Sequence, residues 1–302
     1  MSGYITEFFG YPACDKSEKA IDEAAKRRCP FLSSQCTKIL SRDNTISGVC
    51  AIRLKSQDSP SVICCPNRMY ANNYELLHII SKNAFNKDLE LFAGRVAVKE
   101  AKIRGGAVAV FGHGWGGELK LPQRKGTGAY FVDWILACLN ENGDLVEFTA
   151  IEVQTIDTTG NYRNAREALL ENRKIEACTV GLNWENVSKR IIPQIIYKGQ
   201  VLQRESLCNT GLYFVCPLPV YERVLTRLGG EDKLPSFPTQ PASIHFIAYD
   251  YKVHKCIESE IIPLGIIKHR STTVYKVQEA FSSVSLPDED VIKQAIQKSL
   301  YD

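Results

Sequence analysis

The chain lacks any run of about 18–20 apolar residues, the length needed to cross a bilayer, which excludes a membrane-spanning helix. Its first ten residues, Met1 to Gly10, carry neither a basic start nor a long apolar stretch, so export is not expected and a cytoplasmic location is. Charge of one sign is scarce: the net value is only +3, which by itself does not point to nucleic acid. The five histidines form no H-x-x-x-H or H-E-x-x-H pattern. The glycine-rich stretch Phe111-Gly-His-Gly-Trp-Gly-Gly117 lacks the spacing and the Lys-Ser/Thr ending of a phosphate-binding loop, and reads as a turn. No serine or cysteine has a credible histidine partner in sequence. Internal repeats and low-complexity tracts are absent.

What is present is ordinary for a folded protein. In 302 residues, 44% are hydrophobic and 24% charged, enough to bury a sizeable core. A first helix is expected from about Ser17 to Arg28, with acids early and Lys26, Arg27 and Arg28 late, as the helix dipole prefers. A second is expected from Asn72 or Asn73, burying Leu76, Leu77 and Ile80. Strand-like runs occur at 107–111, 131–139, 145–156, 211–216 and 244–251, with a mostly helical region at 163–198 bent by Pro193. A closing helix opens at Ser285 and Pro287, with Ile292, Ala295, Ile296 and Leu300 turned inward. Strands and helices alternate through the middle, so the expected class is α/β, a mixed β-sheet flanked by helices.

The most informative segment runs from Phe131 to Gln154. Two strand-like runs flank Asn142-Gly143, a pair suited to the positive φ angles of a tight hairpin turn. A turn there places Asp133 directly opposite Glu152, with Gln154 on the same face, and a four-residue loop from Glu141 to Asp144 preserves that register. Two carboxylates held so close repel each other unless a cation lies between them, and Mg²⁺ accepts carboxylate oxygens while leaving positions for water and phosphate. That chemistry suits phosphodiester hydrolysis. The alternative is a solvent-facing pair of incidental acids, since a slip of one residue sends Asp133 to the other face.

The eleven cysteines are an odd number in a chain with no export signal, which favours free thiols and metal ligands over disulfides. Cys29, Cys36, Cys50 and Cys65 lack the paired spacing of a zinc finger. They are either a metal site or small buried hydrophobes, with Cys64 an alternative to Cys65 and Cys14 a further candidate. The cysteines at 138, 178, 208, 216 and 256 read as packing residues. Basic residues gather in two places. Arg104, Lys120, Arg124 and Lys125 flank Glu118, and Lys189, Arg190, Lys198 and Arg204 form a stretch interleaved with Tyr197. Either group can contact phosphates, and the second reads equally as a solvated helix face.

Asp133, eighteen residues, then Glu152-Val-Gln154 resembles the signature of the PD-(D/E)xK nucleases, with Val132 in place of the proline and Gln154 in place of the lysine. A neutral amide cannot lower the pKa of a water as an ammonium can. A wider match orders eight blocks: Glu7-Phe-Phe-Gly10, Cys29-Pro-Phe31, Gly48-Val-Cys50, Cys65-Pro-Asn-Arg68, Gly116-Gly-Glu-Leu119, Asp133-Trp134, Ile151-Glu-Val-Gln-Thr155 and Asn186-Val-Ser-Lys-Arg190. Together they resemble the NotI-type restriction endonucleases. The resemblance implies a type II enzyme, active as a homodimer, that cuts double-stranded DNA at a GC-rich palindrome with Mg²⁺, leaves 5′-phosphates and works beside a cognate DNA methyltransferase. It implies catalytic roles for Asp133, Glu152, Gln154 and Glu118, with Asp133 and Glu152 holding Mg²⁺. Among the basic residues, Lys120, Arg124, Lys125, Lys189 and Arg190 are the candidate DNA contacts. The resemblance also implies one iron or zinc ion on Cys29, Cys36, Cys50 and Cys65, in an N-terminal unit spanning 1–85 ahead of a PD-(D/E)xK core at 86–302. The competing reading is a non-enzymatic DNA-binding protein stabilised by a four-cysteine zinc site, which needs no Asp133–Glu152 pair.

Overall fold

The structure, a computed structural model, describes residues 3–40, 44–54, 59–119, 132–253, 255–283 and 289–301. It contains two principal sheets. The smaller is formed by β1 (Gly3–Phe8), β2 (Tyr11–Pro12), β3 (Val49–Leu54) and β4 (Val62–Ile63), in the antiparallel order β2-β1-β3-β4. The larger is formed by β5 (Leu91–Ala93), β6 (Ala107–Gly112), β7 (Trp134–Leu139), β8 (Leu145–Val153), β9 (Leu212–Pro217), β10 (Ser243–Tyr251) and β11 (Leu264–Thr273). Its order is β11-β10-β9-β8-β7-β6-β5, with parallel pairs β5/β6, β8/β9 and β9/β10 and antiparallel pairs elsewhere. This is the expected mixed sheet flanked by helices.

Strand alternation sorts the core into two layers. One face carries Val108, Val110, Trp134, Leu136, Ile151, Val153, Tyr213 and Val215, and packs with helix α2 (Ala71–Phe85) through Leu76, Leu77 and Ile80. On the opposite face Ala150, Phe214, Cys216, Phe246 and Ala248 pack with α5 (Ile192–Leu202), α6 (Leu218–Arg227) and α7 (Val274–Ser282). There α3 (Val96–Arg104) lays Ala97 and Ala101 on Ala107, Ala109 and Ala137, where only alanines let helix and sheet approach closely. A third cluster joins Ile5, Phe8, Val49 and Ile52 of the smaller sheet to Tyr162, Ala165 and Leu169 beside α4 (Arg163–Asn172).

Several elements depart from the sequence expectation. Helix α1 (Glu18–Ala25) is capped by Ser17, whose hydroxyl accepts the Ala20 amide, and it stops short because Arg27 takes φ +53°. The turn at Asn72, Asn73 and Tyr74 is left-handed, so the regular part of α2 starts after it. Pro193 does not break a helix: it occupies the first turn of α5, where its missing N–H costs nothing. Strand β11 was not foreseen, because its polar Lys268-His-Arg-Ser-Thr272 stretch lies at the sheet's edge and needs no alternation. In the last helix, α8 (Val291–Tyr301), Ile292, Ile296 and Leu300 face solvent rather than a core, being 77%, 53% and 67% exposed. Their periodicity is helical, but no described residue covers them. The start of that helix at Ser285 and Pro287 lies outside the described residues. No described helix is long and apolar enough to cross a membrane.

Candidate active site

The β7–β8 hairpin has the register that sets Asp133 against Glu152, but by an unforeseen route. Its turn is closed one residue off the Asn142-Gly143 pattern. The Asn140 amide donates to the Asp144 carbonyl (3.1 Å) and the Gly143 amide to the Asn140 carbonyl (2.9 Å). Of the pair, only Gly143 takes positive φ. The Asn140 side chain holds the loop by accepting the amides of Asn142 (3.0 Å) and Asp144 (2.9 Å). Leu145 therefore faces Leu139, and a bulge at Val146 then brings Glu147 opposite Cys138. From there to Ile151 opposite Trp134 the pairing is regular, and the next step along each chain is Glu152 and Asp133.

Each carboxylate is fixed by the other strand. Asp133 Oδ2 accepts the Val153 amide at 2.7 Å, and the Asp133 amide in turn points to the Glu152 carboxylate. Glu152 is buried, and its Oε1 lies 2.5 Å from Lys198 Nζ on α5. Glu152 Oε2 is also buried, and no described group bonds to it. Asp133 keeps an open flank but is otherwise hemmed in, so desolvation raises its pKa against the pull of the Val153 amide and Lys198, with Glu118 pushing the same way. Desolvation and then the Asp133 charge push Glu152 up to about 7, despite the ammonium beside it. Two acids that resist ionising together, one with a free buried oxygen, are a donor set suited to a hard divalent cation.

A cleft of about 460 Å³ opens on Asp133, lined by Tyr70, His113, Glu118, Val132 and Trp134 among others. Glu118 is exposed, with His113 Nδ1 3.6 Å from its carboxylate. The glycine-rich loop, read as a turn, brings both there. Gly112 is needed for close approach: a Cβ on it would lie 2.2 Å from the Trp134 ring and 2.7 Å from the Asp133 carbonyl oxygen. Tyr70, Tyr74, Trp115 and Trp134 form an aromatic wall with centroids 5.3–5.6 Å apart.

The Gln154 backbone amide continues the ladder to the Val215 carbonyl (2.9 Å), and its side-chain amide donates to the Thr155 carbonyl (2.8 Å). Lys198, read as part of a solvated or phosphate-facing stretch, is instead 12% exposed and meets Glu152. The signal was available: Lys198 lies within the apolar stripe Ile192, Ile195, Gly199 and Leu202 of α5, where a solvated lysine has no place. Lys189 and Arg190 are exposed, paired with Glu185 and Asp157. Arg104 sits near the hairpin-tip end of β6, paired with Glu90 and Glu100, and so is far from Glu118. Lys120, Arg124 and Lys125 lie outside the described residues.

Cys29, Cys36, Cys50 and Cys65 gather in one small cluster with Phe31. Cys64 turns the other way, into the core beside Ile5 and Phe8, with Lys38 Nζ 3.4 Å from its sulfur. Burial raises the thiol pKa values of Cys29 and Cys50 and takes Cys65 to about 12, so the thiols are neutral as they stand. Among the described residues no three Cys, His, Asp or Glu side chains adopt a ligand arrangement for a metal ion. Cys14 and Cys256 are exposed, and Cys138, Cys208 and Cys216 are buried packing residues.

No curated protein matches the chain. The model of the family described as restriction endonuclease NotI matches residues 16–208, a stretch holding seven of the eight sequence blocks, the carboxylate hairpin and Lys198. The chain belongs to the NotI restriction endonuclease family.

Proposed function

We propose that this restriction endonuclease is a type II enzyme that hydrolyses both strands of a GC-rich palindrome with Mg²⁺, at an active site built on Asp133 and Glu152. The observation that carries the reading is the pair of facing carboxylates with one buried oxygen left unbonded. Asp133 and Glu152 would hold the cation, which supplies polarisation of the scissile phosphate and a lower pKa for the attacking water when bound. The chain's own part is positional. The Val153 amide fixes one Asp133 oxygen, α5 closes the site from behind, and Glu118 adds charge at the cleft mouth. Gln154 holds the strand end through Thr155 and is available to orient water or phosphate after reorientation.

One hairpin supplies one carboxylate pair, enough for one strand, so cutting a symmetric site calls for a homodimer. We place Lys120, Arg124, Lys125, Lys189 and Arg190 along the DNA, the last two exchanging their acidic partners for phosphates. The products carry 5′-phosphates, and host DNA, in the cytoplasm, is protected by a cognate methyltransferase. We also propose that residues 1–85 brace a nuclease unit at 86–302, with an iron or zinc ion on Cys29, Cys36, Cys50 and Cys65. Support comes from their shared cluster, since four thiolates suit either metal.

Incubation with plasmid DNA tests the reading. Discrete fragments with Mg²⁺ and none with EDTA are expected. Retardation of DNA without cutting under any divalent cation would replace the enzyme with a DNA-binding module.

A further inference from the structure

We propose that Lys198 is a catalytic residue, its ammonium standing in from helix α5 for the lysine that strand β8 lacks at Gln154. The proposal rests on the reading of Asp133 and Glu152 as the active site, and goes beyond it by assigning a charged donor to the scissile phosphate and the attacking water.

Three observations carry it. Alternation along β8 turns Glu152 to the face that α5 covers, and Lys198 lies one turn beyond Ile195 on the sheet side of that helix, so Nζ comes within 2.5 Å of Glu152 Oε1. The two oxygens of Glu152 are then divided: Oε1 meets the ammonium, and Oε2 is buried and unbonded among described groups, so one carboxylate can hold a cation and a lysine side by side. Finally, the residue two places after Glu152 is neutral and tied to the Thr155 carbonyl, so no other ammonium is supplied at this point of the strand. An ordinary surface lysine would snorkel to water. Only 12% of the Lys198 side chain is exposed: it is held inside an apolar stripe and turned to the Glu152 carboxylate rather than to water.

In the reaction the water oxygen forms a bond to phosphorus as the bond to O3′ breaks. O3′ leaves with the bonding electron pair and takes a proton from solvent, and the water's proton passes to solvent. Lys198 Nζ donates to the attacking oxygen and to a non-bridging phosphate oxygen as negative charge grows there, which is where a fixed donor lowers a barrier most.

The test compares Lys198→Gln, Lys198→Arg, Gln154→Ala and Asp133→Asn in single-turnover cleavage, with DNA affinity in Ca²⁺ and thermal unfolding measured on each. Lys198→Gln should cut about 10²- to 10³-fold more slowly, the usual loss for one such donor, with affinity within about threefold of wild type. Lys198→Arg should regain at least about tenfold of the rate because the charge is kept. Gln154→Ala should cost less than Lys198→Gln. Cleavage by Lys198→Gln within about threefold of wild type overturns the proposal. So does a parallel loss of rate, affinity and melting temperature in Lys198→Gln, which means that the lysine only braces the site. Should Lys198→Gln not fold, Lys198→Met, which matches the apolar stem, is read by the same criteria. Asp133→Asn separates the two readings. If it is silent while Lys198→Gln cuts, only the lysine assignment fails; if it cuts at the wild-type rate, the hairpin is not the active site and both fall.

Discussion

Asp133 Oδ2 takes the Val153 amide at 2.7 Å, one residue past Glu152 on the opposite strand, so the first acid is held in place by the backbone that carries the second. Asp133→Asn keeps an oxygen for that amide but removes the charge that pushes Glu152 upward. Cleavage should fall by at least about 10³-fold, in the range expected when a central charged group of an active site is lost. The melting temperature without metal should stay level or rise, as removing an active-site acid relieves repulsion. Glu152→Gln differs, because it leaves the Lys198 ammonium without its close acid, and the melting temperature should fall. Calorimetry of both variants checks the contrast.

Gly112→Ala should act on activity through packing. The added methyl meets the Trp134 ring at 2.2 Å and the Asp133 carbonyl at 2.7 Å, and neither is the loose end of a flexible side chain. Overpacking of this kind costs about 1–3 kcal/mol. Chemical denaturation should show that loss, and cleavage should drop further than DNA affinity in Ca²⁺, because Asp133 is the group displaced.

Two of the sequence blocks meet in a buried pair. Arg68 Nε donates to Glu7 Oε1 at 2.8 Å, its guanidinium lies over the Phe31 ring and reaches the Ile262 carbonyl, and Tyr251 donates to Glu7 Oε2 at 2.7 Å. Arg68→Met or Glu7→Gln should each cost about 3–5 kcal/mol, since one partner is left buried and uncompensated. A double-mutant cycle by urea unfolding should show the pair losing less than the sum of the singles.

His245 provides a test of acid stability. Its Nε2 donates to the Thr210 carbonyl (2.9 Å), its Nδ1 accepts from Ser271 (2.7 Å), and the ring stacks on Tyr213. Desolvation lowers its pKa from 6.5 to about 4, so below 6.5 the unfolded chain binds a proton that the folded one refuses. Stability from this group is complete above 6.5 and is lost as the pH falls towards 4, by about 3 kcal/mol in all. The raised pKa values of Asp133 and Glu152 work the other way, so the measurement is the difference between wild type and His245→Gln in urea unfolding from pH 7 to 4. The difference should change with a positive slope in pH across that window.

The cysteine proposal predicts roughly one iron or zinc per chain by elemental analysis of pure protein. Cys29→Ser should lose it together with several degrees of melting temperature, whereas Cys64→Ser, facing another core, should keep it. Metal-free protein that still cuts DNA at full stability would remove the ion from the account.

The hairpin was legible because period-two alternation and a turn residue leave few registers, and those place Asp133 and Glu152 on one face. The two-residue turn at Asn142-Gly143 does not form, since Asn142 needs no positive φ once Asn140 closes a longer loop, and the bulge at Val146 restores the register. Lys198 was not assigned to the site, because a helix 46 residues after Glu152 meets that strand only through tertiary packing. The exposed stripe of α8 shows the opposite failure: Ile292, Ile296 and Leu300 announce a helix correctly but do not say whether anything covers it. The four cysteines came together despite their irregular spacing, because β3 and the turn at Pro66 bring distant segments side by side.

The extra residue at Val146 also separates the two ends of the hairpin mechanically. Val146 is exposed, on the solvent side of the last regular pairs, so a loop of a different length has a place to lose or gain its odd residue before the strands reach the acids. The tip from Asn140 to Asp144 can thus be reshaped while the spacing of Asp133 and Glu152 stays as the inner pairs set it. Surface and chemistry share one hairpin, with the bulge at Val146 lying between them.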